Sequence, residues 1–252
     1  MASGMIDVVQ QGAIAIVTLT CPPANAMNLE LTEEIAAVFQ RLGRDGSVRS
    51  VVLTGQGKSF CAGVDLKAVP DFDEARQRRM VDALNRAFYS VYSCPVPVVA
   101  AINGHAIAGG LVLALCCDWR IAVDTPFLAG LTEVRVGVRC PVAAMEVARQ
   151  ELRPDVARRL VLFGQNMPAA AAVEAGVFDE MVGSEALPER ALAKANEFAA
   201  LPPSAFAGSK RQLRQRACEA IEAAIAGAEP LLNGWLSQET IQAAAAVLAR
   251  KA

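Results

Sequence analysis

Histidine is nearly missing: the 252 residues carry one, His105. That excludes a metal centre built from several imidazoles, and it excludes proton relays between histidines. No Cys-x-x-Cys pair occurs among the seven cysteines, Cys21, Cys61, Cys94, Cys116, Cys117, Cys140 and Cys218. Their number is odd and most lie in apolar runs, which fits free core thiols in a reducing compartment. No apolar run is long enough for a bilayer. The longest, Ala106 to Cys117, has twelve residues, against about 20 for a spanning helix. It reads as a buried helix. A basic region followed by an apolar block is also absent from the first residues, so a cytoplasmic location is expected. Neither sign of charge dominates: 24 Lys and Arg against 26 Asp and Glu leave a net charge of −2. No nucleic-acid partner and no membrane partner is expected. No metal site is expected either. The Walker A loop and the G-x-G-x-x-G fingerprint are both lacking.

What is present is a chain rich in core-forming residues, 54% hydrophobic and 20% charged, which excludes disorder. Ile6 to Val9 and Ile14 to Leu19 read as strands joined at Gln11-Gly12. Ile35, Val38, Phe39 and Leu42 recur at helical spacing within a helix from Leu29 to Leu42, ended by Gly43. Strands are expected at Val48 to Thr54, Val98 to Ile102 and Trp119 to Val123. Helices are expected at Asp73 to Ser93 and Gly109 to Cys117. This alternation argues for a layered α/β fold. From Pro141 onward the chain reads as mostly helical, with a short strand at Val177 to Val182. After Pro188 it is Ala-rich and helical, broken at Pro202-Pro203 and Pro230.

Two glycine-bearing turns follow buried strands: Ser59-Phe60-Cys61-Ala62-Gly63-Val64-Asp65-Leu66 and Asn103-Gly104-His105-Ala106-Ile107-Ala108-Gly109-Gly110. Ligands of α/β sheets bind beyond strand ends of this kind. Gly109-Gly110 opens a helix, whose free N–H groups and positive dipole end suit an oxyanion. Each turn, taken alone, is equally compatible with a tight bend that happens to use glycine.

Together these segments resemble the crotonase (enoyl-CoA hydratase/isomerase) superfamily. Pro22-Pro23-Ala24-Asn25-Ala26-Met27-Asn28 is similar to its early proline–asparagine segment. Leu162-Phe163-Gly164 through Ala175-Gly176-Val177 and Met181-Val182 is similar to its later helix–turn–strand. The likeness runs in order through roughly residues 6 to 185. It implies an α/β, crotonase-like ββα spiral core over residues 1–187, holding an acyl-CoA site. It also implies a helical trimerisation part over residues 188–252, in a homotrimer or a dimer of trimers. The implied substrate is an acyl-CoA thioester, with no cofactor apart from its coenzyme A. By resemblance, the thioester oxygen falls to the backbone N–H groups of Val64 and Gly109. Coenzyme A falls to Ala24, Ala26, Ala62, Gly63, Asp65 and Leu66. Val64 stands where the family usually has a smaller residue. Any residue but proline can donate, so the extra bulk narrows the acyl pocket without removing the donor.

Carboxylates decide the reaction. Hydratases of this family carry one glutamate in the helix after the glycines and another about 20 residues on. The first position falls on Val112, which cannot move a proton. The second falls on Glu133, within Gly130-Leu131-Thr132-Glu133-Val134-Arg135-Val136-Gly137. The hydratase-type Pro-Gly-x-Gly-Gly stretch is replaced by Arg139-Cys140-Pro141-Val142-Ala143. One carboxylate suits a double-bond shift from 3-enoyl-CoA to 2-enoyl-CoA, in which one base removes a proton at C2 and returns one at C4. The motifs resemble the Δ3,Δ2-enoyl-CoA isomerase branch in particular.

Alternatives stay open. The chain fits a hydratase, hydrolase, lyase or decarboxylase of the same type, with a second acid from Asp71, Asp73 or Glu74. It also fits a non-catalytic acyl-CoA-binding protein, while an RNA-binding role is disfavoured by the net charge. His105, Cys61 and Cys140 read as packing residues. Lys58, Lys67 and the Arg76, Arg78, Arg79 cluster read as solvated charges, the lysines also within reach of coenzyme A phosphates.

Overall fold

The computed structural model describes residues 4–65, 68 and 72–249. Strands β1 (Ile6–Gln11) and β2 (Ile14–Leu19) form an antiparallel hairpin. Gln11 pairs with Ile14, so the turn is Gly12-Ala13, one residue later than expected. Gly12 takes a positive φ of 59° there, which a residue without Cβ adopts freely. Helix α1 (Leu29–Leu42) has the bounds expected from its periodicity. Asn28 starts it by accepting a hydrogen bond from the Leu31 N–H at 2.8 Å, as a helix N-cap should.

The core then repeats one unit. A strand of the first sheet is followed by a short strand of a second sheet and then by a helix. The first turn is β3 (Ser50–Gly55), β4 (Ser59–Cys61) and α2 (Glu74–Tyr92). The second is β5 (Val98–Ile102), β6 (His105–Ile107) and α3 (Gly109–Leu115). The third is β7 (Trp119–Val123), β8 (Leu128–Gly130) and α4 (Val142–Glu151). Successive turns lie side by side. β2, β3, β5 and β7 pair in parallel, as do β4, β6 and β8. This is the ββα spiral that the resemblance implies. Every residue of β5 and of α3 is buried, which explains why these segments read as continuous apolar runs.

Helix α5 (Pro154–Ala157) widens into a π-type turn, Arg158–Leu162. β9 (Asn166–Pro168) then adds antiparallel to β8. After α6 (Ala169–Glu174), β10 (Glu180–Val182) closes the first sheet beside β7. The rest is helical: α7 (Leu187–Ala199), α8 (Pro203–Ala223) and α9 (Gln238–Ala249), with a short 3₁₀ turn, Pro230–Asn233, before α9. Among the described residues no helix is long and apolar enough to cross a membrane.

Helix α8 is fastened to the core through charge. Asp118, just before β7, accepts from Lys210 Nζ at 2.7 Å and pairs with Arg214 at 3.1 Å. Arg214 also reaches Glu151 of α4 at 3.2 Å and lies over the Tyr92 ring, 4.0 Å from its centre. Lys210 and Arg214 side chains are each 6% exposed. Removing one partner of such a buried cluster leaves uncompensated charge, at a cost of about 3–5 kcal/mol. Asp118→Ala should therefore lower the unfolding free energy by about that much in urea titrations. A loss below about 1 kcal/mol, the value of an exposed pair, would contradict this account.

Candidate active site

The candidate site comprises three backbone turns and one carboxylate. The first turn is held by Asn25, a residue 1% exposed with a positive φ of 51°. Its Oδ1 accepts from the Cys21 N–H at 3.0 Å. Its Nδ2 donates to the carbonyls of Gln56 at 3.0 Å, Ser59 at 2.8 Å and Phe60 at 3.2 Å. One amide side chain thus ties the Pro22 to Asn28 segment to the first half of β4 and to the turn before it. Sequence reading quoted Asn25 only as part of a motif. A polar residue flanked by alanines before a helix cap was the available signal.

The second turn, Cys61 to Val64, runs beside Met27. The Met27 N–H donates to Gly63 O at 2.7 Å, and the Asp65 N–H donates to Met27 O at 3.2 Å. In a parallel bridge of this kind Val64 directs its own N–H away from Met27. The third turn carries Gly109, first residue of α3, whose N–H has no intrahelical partner by position. Among the described residues no acceptor satisfies either N–H.

The two turns touch. A Cβ built on Gly63 would lie 2.9 Å from Gly109 N, and one built on Gly110 would lie 2.0 Å from Cys61 O. Glycine is therefore compulsory at 63 and 110. Gly109 is different: a Cβ there would meet Met27 Sδ at 3.4 Å, an ordinary contact.

Ala24 O accepts from the Ala62 N–H at 3.1 Å, and Ala26 O accepts from the Asn28 N–H at 3.1 Å. Ala24, Ala26, Ala62, Gly63 and Asp65 thus sit on adjoining backbone. Leu66, expected to join them, lies outside the described residues, as do Lys67 and Asp71.

Glu133 enters from the third turn of the spiral. The Ala108 N–H donates to Gly130 O at 2.7 Å, which ties the residue before Gly109 to the chain three residues before Glu133. A single 3₁₀ turn, Glu133–Val136, follows and ends at Gly137 in left-handed conformation. Glu133 is half-buried as a residue, yet its Oε2 is shielded from solvent and has no hydrogen-bond partner. Burial pushes this carboxyl up to about 7, because the charged form loses hydration and a hydrogen bond from its own backbone N–H offsets only part of that loss. Beside it opens a cavity of about 480 Å³ whose lining includes Cys140, Val142, Met145, Val161 and Leu231. Val64 and Gly109 lie outside that lining.

The remaining candidates have local structural partners or are buried in the core. Val112 is fully buried in α3. Asp73 caps α2 by accepting from the Arg76 N–H at 2.7 Å, and Glu74 pairs with Arg78 at 2.8 Å. His105 Nδ1 accepts from the Leu128 N–H at 3.2 Å, stitching β6 to β8. The Cys61 thiol donates to Asn25 O at 3.0 Å and is pushed up to about 12 by burial. The Cys140 thiol is raised by burial and by the nearby Glu133 charge. Arg79 pairs with Glu33 at 2.9 Å on the exposed face of α2. Among the described residues no cluster of three His, Cys, Asp or Glu forms a metal-binding group.

Two residues escaped sequence reading. Glu229, 4% exposed, and Asn85, 1% exposed, meet at 2.8 Å beside the cavity. Asn85 lies on the same helical face as Val81 and Phe88, a polar interruption that was legible in principle.

Comparison with known proteins places these features in context. Residues 9–251 match the family model described as enoyl-CoA hydratase/isomerase. A relative from Alternaria alternata, named enoyl-CoA hydratase AKT6-1, is 36% identical over 74% of this chain, and the match spans 60% of that protein's length. The probable enoyl-CoA hydratase EchA17 of Mycobacterium tuberculosis is 32% identical over 80% of this chain and 77% of its own length. The crystal structure of human mitochondrial Δ3-Δ2-enoyl-CoA isomerase superposes with a TM-score of 0.89 at 26% identity, covering 98% of each chain.

The Glu133 shift carries a sign. Its folded pKa lies above the ordinary carboxylate value, so its contribution to stability is full below that value and is lost as pH rises through about 7. Glu133→Gln does not titrate. Between pH 5 and pH 8 it should gain about 2 kcal/mol relative to the parent protein in denaturant titrations. Equal pH dependence of the two proteins would contradict a buried, unpartnered carboxylate.

Proposed function

Because the chain belongs to the enoyl-CoA hydratase/isomerase family, we propose that it moves the double bond of a 3-enoyl-CoA to the 2-position. The thioester carbonyl acidifies the protons at C2. Glu133 removes one, leaving an enolate whose oxygen is held by the N–H groups of Val64 and Gly109. Each such donor contributes on the order of 3 kcal/mol where charge develops. The protonated Glu133 then returns its proton at C4. No cofactor beyond the substrate's own coenzyme A takes part.

The observation that carries this reading is the isolation of one carboxylate oxygen. Three acids line the cavity, Glu133, Glu146 and Glu229. Glu146 is paired with Arg149. Glu229 accepts hydrogen bonds on both oxygens, from Asn85 and the Val142 N–H on one and from the Leu231 N–H on the other. Glu133 alone has an unpartnered buried oxygen. A pKa near neutrality lets the same group act as base at C2 and acid at C4. Hydration shared between two carboxylates lacks its second member, since Val112 occupies that place.

The implied homotrimer or dimer of trimers is part of the same proposal. Val134, Leu162 and Phe163 are 50%, 63% and 64% exposed, and Val134 packs close to Gly164. Apolar side chains grouped in this way favour coverage by another subunit. A monomer in light scattering at micromolar concentration would overturn that part.

Glu133→Gln should lower kcat for a 3-enoyl-CoA by about 10²–10⁴-fold. In the parent enzyme kcat/KM should rise with pH and level off above about 7, since the base must be charged. Hydration of crotonyl-CoA at ordinary enzyme rates without 3-enoyl-CoA turnover would overturn the proposal. So would acyl-CoA binding without any turnover.

A further inference from the structure

The first turn of α4 lacks a local cap. Pro141 precedes it and offers no side-chain acceptor, so the Val142 and Ala143 N–H groups need partners from elsewhere. They find them in distant parts of the chain. Asn85 Oδ1 accepts from Ala143 N–H at 2.9 Å, and Glu229 Oε2 accepts from Val142 N–H at 2.9 Å. Glu229 Oε2 also accepts from Asn85 Nδ2 at 2.8 Å, while its Oε1 accepts from Leu231 N–H at 3.1 Å. The clasp therefore joins α2, α4 and the segment before α9.

That segment forms part of the cavity beside Glu133, through Pro230 and Leu231. Leu231 is 5% exposed. Further bonds fasten the same stretch to the loop that follows Glu133. Trp235 Nε1 donates to Arg139 O at 2.9 Å, and Thr240 Oγ1 donates to Gly137 O at 2.7 Å. On the other side the Leu236 N–H donates to Gln77 Oε1 of α2 at 3.0 Å.

We propose that this fastened segment is the specificity-determining wall of the site: Leu231 limits the length of acyl chain admitted past Glu133, and Glu229 is the positioning residue that holds it there. The inference rests on the acyl-CoA reading of the cavity given above. A wall pinned to α2, to α4 and to the Glu133 loop cannot retreat for a longer chain without breaking buried hydrogen bonds. Those bonds are expensive to leave unmade.

The test measures binding by titration calorimetry with hexanoyl-CoA and dodecanoyl-CoA, saturated thioesters that need no turnover. The quantity read is the ratio of the two affinities. Leu231→Ala should shift the ratio toward dodecanoyl-CoA by about tenfold or more, the scale on which apolar pockets discriminate methylenes. Leu231→Phe should shift it the opposite way. Glu229→Gln, which retains one oxygen of two, should move the ratio in the same direction as Leu231→Ala. A merely structural role would weaken both ligands alike, so an unchanged ratio in all three variants would overturn the proposal. Failure of the parent protein to bind either thioester would instead remove the acyl-CoA reading itself, and this inference with it.

Discussion

Backbone meets backbone where the first and second turns of the spiral touch, and the site depends on that contact. Gly63 and Gly110 leave no room for a side chain, with Gly110 pressed against the Cys61 carbonyl and Gly63 against Gly109 N. This approach brings the Val64 and Gly109 turns together. The β4–β6–β8 ladder sets its register, and Asn25 locks the far side by bonding to Ser59 and Phe60 of β4 and to Gln56 before it. The same closeness forces α3 into the core as a fully apolar helix. A carboxylate at position 112 would have to be buried there.

The cost of the arrangement falls on Glu133. A carboxyl with one oxygen shielded from water and unpartnered destabilises the charged protein, and the surrounding structure must overdetermine its position. It does so by fastening the Glu133 turn at both ends. Gly130 is tied to Ala108 before it, and Gly137 and Arg139 are tied to the C-terminal segment after it. The C-terminal helices are thus joined to the chemistry through hydrogen bonds as well as to the core through the Asp118 cluster. The position of Glu133 and the cavity wall beside it rest on the same set of fastenings.

Much of this was legible in the sequence wherever the signal was local and long. α1 carries a cap residue, an apolar face and a terminating glycine, and its observed bounds match. β5 is an unbroken buried run and β7 is buried after its first residue, and both match. β4, β6, β8 and β9 were not read as strands. Each is three residues long, too short for alternation to show, and the glycines of the second sheet disguise them as turns. Glu133 was legible as a motif position, whereas its lack of a partner emerges only when distant walls close around it. The Asn85–Glu229 clasp spans 144 positions. No local pattern encodes a contact of that range. Gly110, compulsory like Gly63, cannot be told from its neighbour Gly109 by the motif alone, because the backbone it presses against is 49 residues earlier in the chain.

In the proposed reaction one carboxyl carries one proton from C2 to C4. The most direct measurement follows deuterium from a 3-enoyl-CoA dideuterated at C2 in ordinary water. The account predicts that part of the label removed from C2 appears at C4 of the 2-enoyl product, delivered by Glu133 before it exchanges with solvent. Product carrying only solvent hydrogen at C4 in every turnover would contradict it.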